Sequence, residues 1–573
     1  MNKRRNKWAT AAVPGLLLLA MTTAACGGGN NGNNANAGGN GDKNASNAAA
    51  NQTANNGAAD APTVDPNAKY DPPIEVTTVR YTDSSFKFKD GESLDNNAWT
   101  KAYESELGIK VKNKWVVNGE GNQYNQKINL TITSGDLPDM FMVDAKQFRD
   151  LAEAGKLEDL TALVDQYGSP LTKEMIDRGV NAKAAASYDG KLYAIPPAED
   201  YFGGAPLLWV RADWMKKLSL PEPKTMDDFV KIAEAFTKQD PDGNGKPDTY
   251  GLAASKDVIS GYPDLSGFMN GFHAYMNIWV KDASGKLVNG NVQPEMKTAL
   301  AKLQELYKDG VIDKEFGIKD GGKAAELQTA GKVGMNFGAM WNPLWPLQDG
   351  VTKDPNAEWT PYPIPSVDGT PAKAQSSADF NAFWVVKKGA AHPEAIVKLF
   401  NFYNEKIVGE SAEPAVYHTD NGIEVFKYAL MAGGFGTPQG LLTVHKNVMD
   451  ALSAGDAAKL TPEEKSYFDK IKLFQGGDRT NWGTNKVFGE NGSWAVIGAS
   501  YSDGGLLMKN EFFGPPTPGM TEKRAILDKL VLESFTKIIL GAPIGDFDKF
   551  VENWNKLGGE QITQEVNDWY GSK

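Results

Sequence analysis

The sequence predicts an α/β fold. Strand-like and helix-like segments alternate after the N-terminal region, the strand-like runs are short and rich in β-branched residues, and no internal repeat or heptad seam is present. Roughly five hundred residues follow Asp71, more than a single hydrophobic core ordinarily holds, so more than one core is expected.

The elements follow in order. Ile74–Thr82 (IEVTTVRYT) has β-branched alternation and reads as a first strand. Asn96–Gly108 has helical spacing and stops at a glycine. IKVKNKWVV returns to strand, YNQKINLTITSG reads as helix, and Asp139–Asp144 is a short apolar run suited to a buried strand end. Ligands of open α/β sheets sit beyond the carboxyl ends of strands, which makes Asp144 a candidate ligand residue. A helix C-cap at Gly135 followed by a turn at Pro138 explains the same stretch without a ligand.

The N-terminus has the three-part layout of a secretory signal peptide over residues 1–25: a basic MNKRRNKW, a short apolar AAVPGLLLLAM, then small residues. The apolar run is too short to span a bilayer, which needs roughly 20 residues. Cys26, the sole cysteine, follows Ala24 and Ala25. The surrounding residues resemble a bacterial lipobox, with Thr23 where leucine is usual, and imply that Cys26 carries lipid and anchors the chain to the outer face of the cell membrane. Residues 26–70 are expected to include a flexible tether, since the Asn-, Gly- and Ala-rich stretch to about Pro66 has almost no large apolar residue to bury. Removing residues 1–25 leaves 56 basic against 72 acidic side chains, a balance of −16, which disfavours nucleic acid as a partner.

The stretch DPDGNGKPDTYG, Asp240 to Gly251, spaces its oxygen donors like the Ca²⁺ loop of an EF-hand. Asp240, Asp242, Asn244, the Lys246 carbonyl and Asp248 fall on positions 1, 3, 5, 7 and 9, with Gly245 at the sharp turn. Position 12, usually a bidentate glutamate, is Gly251. A structural Ca²⁺ with an open coordination position is expected, and no organic cofactor. An Asp/Asn/Gly-rich turn without metal is the alternative.

Four blocks carry a family resemblance: SGDLPD; DGKLYAIP with LWVRADWMKKL and TMDDF; KVGMNFGAMWNPLW; and the tail FTKIILGAPIGDFDKFVENWNKLGGEQITQEVNDWY. In this order, across nearly all of the folded part, they resemble the extracellular solute-binding lipoproteins of ABC sugar transporters, the group near the maltose- and alginate-oligosaccharide-binding proteins. The resemblance implies a two-lobed periplasmic-binding-protein-like fold (type II), with discontinuous lobes joined by a hinge and the ligand between them. Lobe 1 is expected over 71–200 plus about 380–480, and lobe 2 over about 205–375 plus 485–573. Crossings are expected in AIPPAEDYFGGAP, in Ala372–Val386 and near residue 480. In the alginate-type proteins an acidic residue just after the position-nine aspartate helps hold calcium; here that place is Thr249.

A sugar cleft needs exposed aromatic rings beside polar groups, and 14 tryptophans supply them. Trp341 and Trp345 stand where Pro343 and Pro346 forbid a regular helix, and the resemblance favours Trp341 as a ring that stacks on ligand. Tyr201 and Phe202, in the first crossing, line the cleft or pack the hinge. Arg211 offers a fork of donors, or pairs with Asp213 at the surface. Trp384 and Trp482 are further candidates, whereas Trp554 and Trp569 sit in amphipathic helices and read as core.

No zinc-like spacing links the four histidines, and neither a G-x-S-x-G elbow nor a nucleotide-binding glycine loop is present. A glycosidase would need only two suitably spaced carboxylates, so it is the resemblance to binding proteins that implies a function that is not enzymatic. The chain would be a monomeric, lipid-anchored binding component that captures a sugar or oligosaccharide and delivers it to permease subunits. A surface carbohydrate-binding adhesin or sensor, or a secreted glycoside-acting enzyme, is the alternative.

Overall fold

A computed structural model describes residues 65–572, apart from 67, 83–85, 119–121, 197–200, 259–260, 264, 377–381, 421–422, 432–439 and 515. The signal peptide, Cys26 and the tether up to residue 64 lie outside the described residues, as does part of the first expected crossing.

The N-terminal elements follow the sequence pattern closely. Strand β1 (Ile74–Thr82) pairs in parallel with β2 (Ile109–Asn118), and helix α1 (Ala98–Ala102) leads into a wider turn over Tyr103–Leu107 between them. Asn97 caps α1: its Oδ1 accepts from the backbone N–H of Trp99 and Thr100, and Thr100 Oγ1 accepts from Asn97 N. Gly108 closes this unit at φ 68°, and a Cβ there would lie 2.3 Å from the Tyr70 carbonyl oxygen. Helix α2 (Asn122–Ser134) follows, then β3 (Met140–Val143) and α3 (Ala145–Glu153).

Strand β4 (Ala194–Ile195) ends the first long stretch. The chain continues through β5 (Leu207–Arg211), α4 (Met226–Lys238), β6 (Tyr250–Leu252), α5 (Gly321–Thr329), β7 (Val333–Gly338), β8 (Trp359–Tyr362) and β9 (Ala374–Ser376). It then forms β10 (Phe383–Val386), α6 (Ala395–Val408), α7 (Gly440–Ala454), α8 (Pro462–Gln475), α9 (Trp482–Phe488), β11 (Leu507–Lys509) and α10 (Pro518–Ile539). No described helix is long and apolar enough to cross a membrane.

From Thr63 onward the chain is one compact unit, but its apolar interior divides into two main cores. The smaller is built by β1, β2 and the sheet β3-β10-β4, with residues from Val76–Ile195 and Phe383–Met431. The larger is built on the sheet β8-β5-β7-β6, with residues from Ala205–Ala374 and Val444–Val566. Its helices seat closely on the sheet: a Cβ at Gly334 of β7 would lie 2.1 Å from the Phe236 ring of α4. The Val444, Val448 and Ile471 side chains of α7 and α8 are buried in the larger core. Near residue 480 the chain runs from α8 to α9, and both helices contribute buried residues to the larger core.

The residues just before β1 are fastened to α6 of the smaller core. The Tyr70 hydroxyl donates to Glu394 at 2.7 Å, and Lys398 Nζ donates to the Ala68 carbonyl at 2.6 Å. In the larger core, β9 pairs in parallel with β11, and β9 precedes the residues that lead to β10.

Candidate functional site

Strand β7 is buried along its whole length and ends at Gly338, after which the chain breaks into a proline-rich loop. Pro343, Pro346 and Leu347 point inward and are buried, which leaves the neighbouring rings outside. Trp341 and Trp345 are 40% and 42% exposed, unusually open for indoles. Their centroids lie 6.4 Å apart with planes 25° from parallel, and the buried Tyr262 ring sits 6.3 Å from one and 5.1 Å from the other. The loop is held from behind: Ser493 Oγ donates to the Met340 carbonyl at 2.7 Å, and Gly483 N donates to Gln348 Oε1 at 2.7 Å. The result is a pair of part-exposed indoles on a loop held from behind.

A second feature lies in the smaller core. A small pocket open to solvent is lined by Val79, Tyr81, Phe86, Tyr124, Met142 and Trp384, with Arg80 and Lys427 at its wall. It lies near the carboxyl ends of β1 and β3, where an open α/β sheet offers room for ligand. The Arg80 guanidinium is buried and donates to the carbonyls of Lys427, Tyr428 and Ala429 at 2.8–3.0 Å, so it secures the pocket wall. Burial lowers its pKa to about 10, leaving it cationic at neutral pH.

The other expected residues have different placements. Trp384 is buried within the smaller core and reaches the pocket from β10. Tyr201 is half-buried: its hydroxyl accepts from Asn181 at 3.0 Å, its carbonyl accepts from Ser376 of β9, and Lys509 of β11 lies 4.4 Å over its ring. Phe202 packs against the larger core. Three candidates require correction. Arg211 is 3% exposed, forks onto Asp213 at 2.8 and 2.6 Å, and stacks 4.5 Å over Trp214, so its donors serve the interior. Trp482 begins α9 fully buried, with Nε1 donating to Glu358 at 3.2 Å, because the following helix turns it into the core. Asp144 caps α3: its Oδ1 accepts from Gln147 N at 2.8 Å while Gln147 Oε1 accepts from Asp144 N at 3.0 Å. Trp554 is buried, in line with its core reading, while Trp569 is only partly buried against the larger core.

Sequence reasoning missed Tyr262, Tyr81, Phe86 and Tyr124. Tyr262 stands in SGYPDLSG, a Gly- and Pro-rich context like that of Trp341, and that signal was available.

The acidic loop closes on itself and on two lysines, Lys217 donating to the Asp240 and Pro241 carbonyls at 3.2 and 2.8 Å. Asp240 accepts from Asn244 N and Gly245 N at 3.0 Å each, and Asn244 Nδ2 donates to Asp242 and Asp248. The Lys332 ammonium lies 2.9 Å from Asp242 and 2.8 Å from Asp248, so the two carboxylates converge on a single cationic position. Hydrogen bonds and this lysine hold the Asp248 carboxyl below its ordinary range. Among the described residues no group of three or more His, Cys, Asp or Glu side chains is placed to hold a metal. The loop's remaining oxygens are the Asn244 amide and backbone carbonyls, a donor chemistry that suits Ca²⁺.

Comparison with known proteins adds to this geometry. The family model described as bacterial extracellular solute-binding protein matches residues 87–408. Lipoprotein LipO of Bacillus subtilis is 25% identical over 497 residues, covering 83% of this chain and 89% of its own length. The fructooligosaccharide ABC transporter substrate-binding protein FusA of Streptococcus pneumoniae is 32% identical over 231 residues, covering 37% of this chain and 40% of its own. A crystal structure of the alginate-binding protein AlgQ2 without calcium ion superposes with TM-score 0.60 at 18% identity, covering 89% of this chain and all of that one. The fold is thus a two-lobed periplasmic-binding-protein-like one, and the chain belongs to the bacterial extracellular solute-binding proteins.

Proposed function

We propose that this protein is the substrate-binding component of an ABC importer that captures a sugar or oligosaccharide between its lobes and presents it to membrane permease subunits. The stacked, open Trp341–Trp345 pair over Tyr262 carries this reading, because flat exposed rings are what saccharide C–H faces bind. Relatives support it: FusA is named for fructooligosaccharides, and YtcQ of Bacillus subtilis, 24% identical over 458 residues, for polygalacturonan and rhamnogalacturonan.

The lobe limits that fit the two cores are about 71–195 plus 383–431 and about 205–374 plus 444–572. Trp341 and Trp345 stack on ligand from the larger lobe, and the pocket with Trp384 faces it from the smaller. Tyr201 and Phe202 pack the hinge, Tyr201 being tied to β9 through Ser376. Hinge bending closes the lobes, and ligand shifts a pre-existing open–closed balance through contacts made only when closed. The protein does no chemistry on the sugar, and another subunit hydrolyses ATP.

Lipid on Cys26 holds the monomer at the outer face of the cell membrane, a reading supported by the lipobox-like residues and by LipO. Asp240, Asp242, Asn244, the Lys246 carbonyl and Asp248 would hold a structural Ca²⁺, supported by their spacing and by the convergence of two carboxylates on one cation position. Small-angle scattering with and without a saturating saccharide tests closure: the protein contracts if the proposal holds, and unchanged dimensions oppose it.

A further inference from the structure

Under the two tryptophans, an otherwise apolar core contains a file of buried polar side chains. Asn336 on β7 is fully buried, and its Oδ1 accepts from Gln328 Nε2 of α5 at 2.7 Å. Gln328 Oε1 in turn accepts from the Tyr262 hydroxyl. That hydroxyl also lies against the amide of Asn342, which follows Trp341 directly in the chain. Asn342 is itself fully buried, yet neither atom of its amide completes a well-formed hydrogen bond. The strand end is shaped around it, since a Cβ at Gly338 would lie 1.9 Å from Asn342 Oδ1.

Burying four polar side chains is costly where apolar residues would pack as well, and such a file in a core fixes one arrangement at the expense of stability. What this file reaches is specific. The Tyr262 ring touches both Trp345, at 5.1 Å, and Trp341, at 6.3 Å, while Asn342 belongs to the loop that carries them. An indole that is about 40% exposed is not held by burial, so its tilt must be set from below.

We infer that Tyr262, oriented by Gln328 and Asn342, is a positioning residue that sets the separation and tilt of the Trp341–Trp345 pair and thereby its fit to a sugar ring. The inference rests on the reading of that pair as a sugar platform. Its geometric part, however, is measurable without any ligand.

Tyr262→Phe keeps the ring under both indoles and removes only the hydroxyl; Asn342→Ala removes the other end of the contact. Two stacked indoles produce an exciton couplet in circular dichroism, identified here as the signal lost in Trp341→Phe. Both variants should weaken or reshape that couplet in the ligand-free protein. Affinity for kestose or an oligogalacturonide, whichever the wild type binds, should fall about tenfold. A lowered melting temperature with the couplet and affinity unchanged would overturn the inference, because that is what a purely structural hydrogen bond gives. Should Tyr262→Phe fail to fold, the couplet of Asn342→Ala decides. Should neither saccharide bind the wild type, the couplet alone decides whether Tyr262 positions the rings.

Discussion

The rings of Trp341 and Trp345 stack 6.4 Å apart with their outer faces open, while prolines on the same loop are buried behind them. An arrangement that buries prolines and exposes indoles inverts the usual order of burial, and it supports the proposed saccharide site. Trp341→Ala and Trp345→Ala should each weaken saccharide binding by about 1–3 kcal/mol, the ordinary worth of a buried ring at a binding surface. Melting temperatures should stay near wild type, since both rings lie largely outside the core; calorimetry and thermal melts read the two effects separately.

Lys332 occupies the position on which Asp242 and Asp248 converge. Calcium entering the loop must compete with this ammonium. Lys332→Met should therefore lower the melting temperature in chelator, where two carboxylates are left facing each other, and should enlarge the rise that calcium produces. A calcium response absent from both proteins in scanning calorimetry would remove the metal from the account.

Glu463 of α8 is half-buried, and burial, with Glu464 adding to it, pushes its carboxyl up to about 7. The folded protein thus holds this proton more tightly than the unfolded chain. The stability this gives is complete below the ordinary carboxylate range, falls as pH rises from about 4.5 to about 7, and stays lost above. Glu463→Gln should flatten that slope and raise stability at pH 8 by on the order of 2 kcal/mol, a figure reduced for partial exposure. Denaturant midpoints at pH 5 and pH 8 measure it.

Trp482 is fully buried against Glu358, away from solvent. Trp482→Ala should cost about 3–5 kcal/mol of stability. The fraction that remains folded should bind saccharide as the wild type does, which calorimetry below the melting transition checks.

Local patterns were readable in the sequence where local physics decides them. β1 forms over Ile74–Thr82, where the β-branched alternation lies, and the run before Asp144 becomes β3. Trp341 and Trp345 stood out because the prolines beside them exclude a helix. What failed depended on partners distant in sequence. Trp482 is a cleft candidate from RTNWGTN alone, but its partner Glu358 lies 124 residues away and the chain at Trp482 is helical. Arg211 was correctly linked to Asp213, yet nothing local showed that Trp214 and β8 would enclose the pair. Lys332 is 84 residues beyond Asp248, so the loop's internal cation was invisible in the loop itself. Likewise Tyr262 reaches the tryptophans only through the packing of α5 and β7.

The most direct test of the central claim is titration calorimetry of the protein with a panel of neutral and acidic oligosaccharides, run beside the Trp341→Ala/Trp345→Ala double variant. Saturable heat from at least one unaltered saccharide, lost in the folded double variant, is the predicted result. Wild-type affinity in the double variant, or a saccharide recovered as cleaved product, would contradict it.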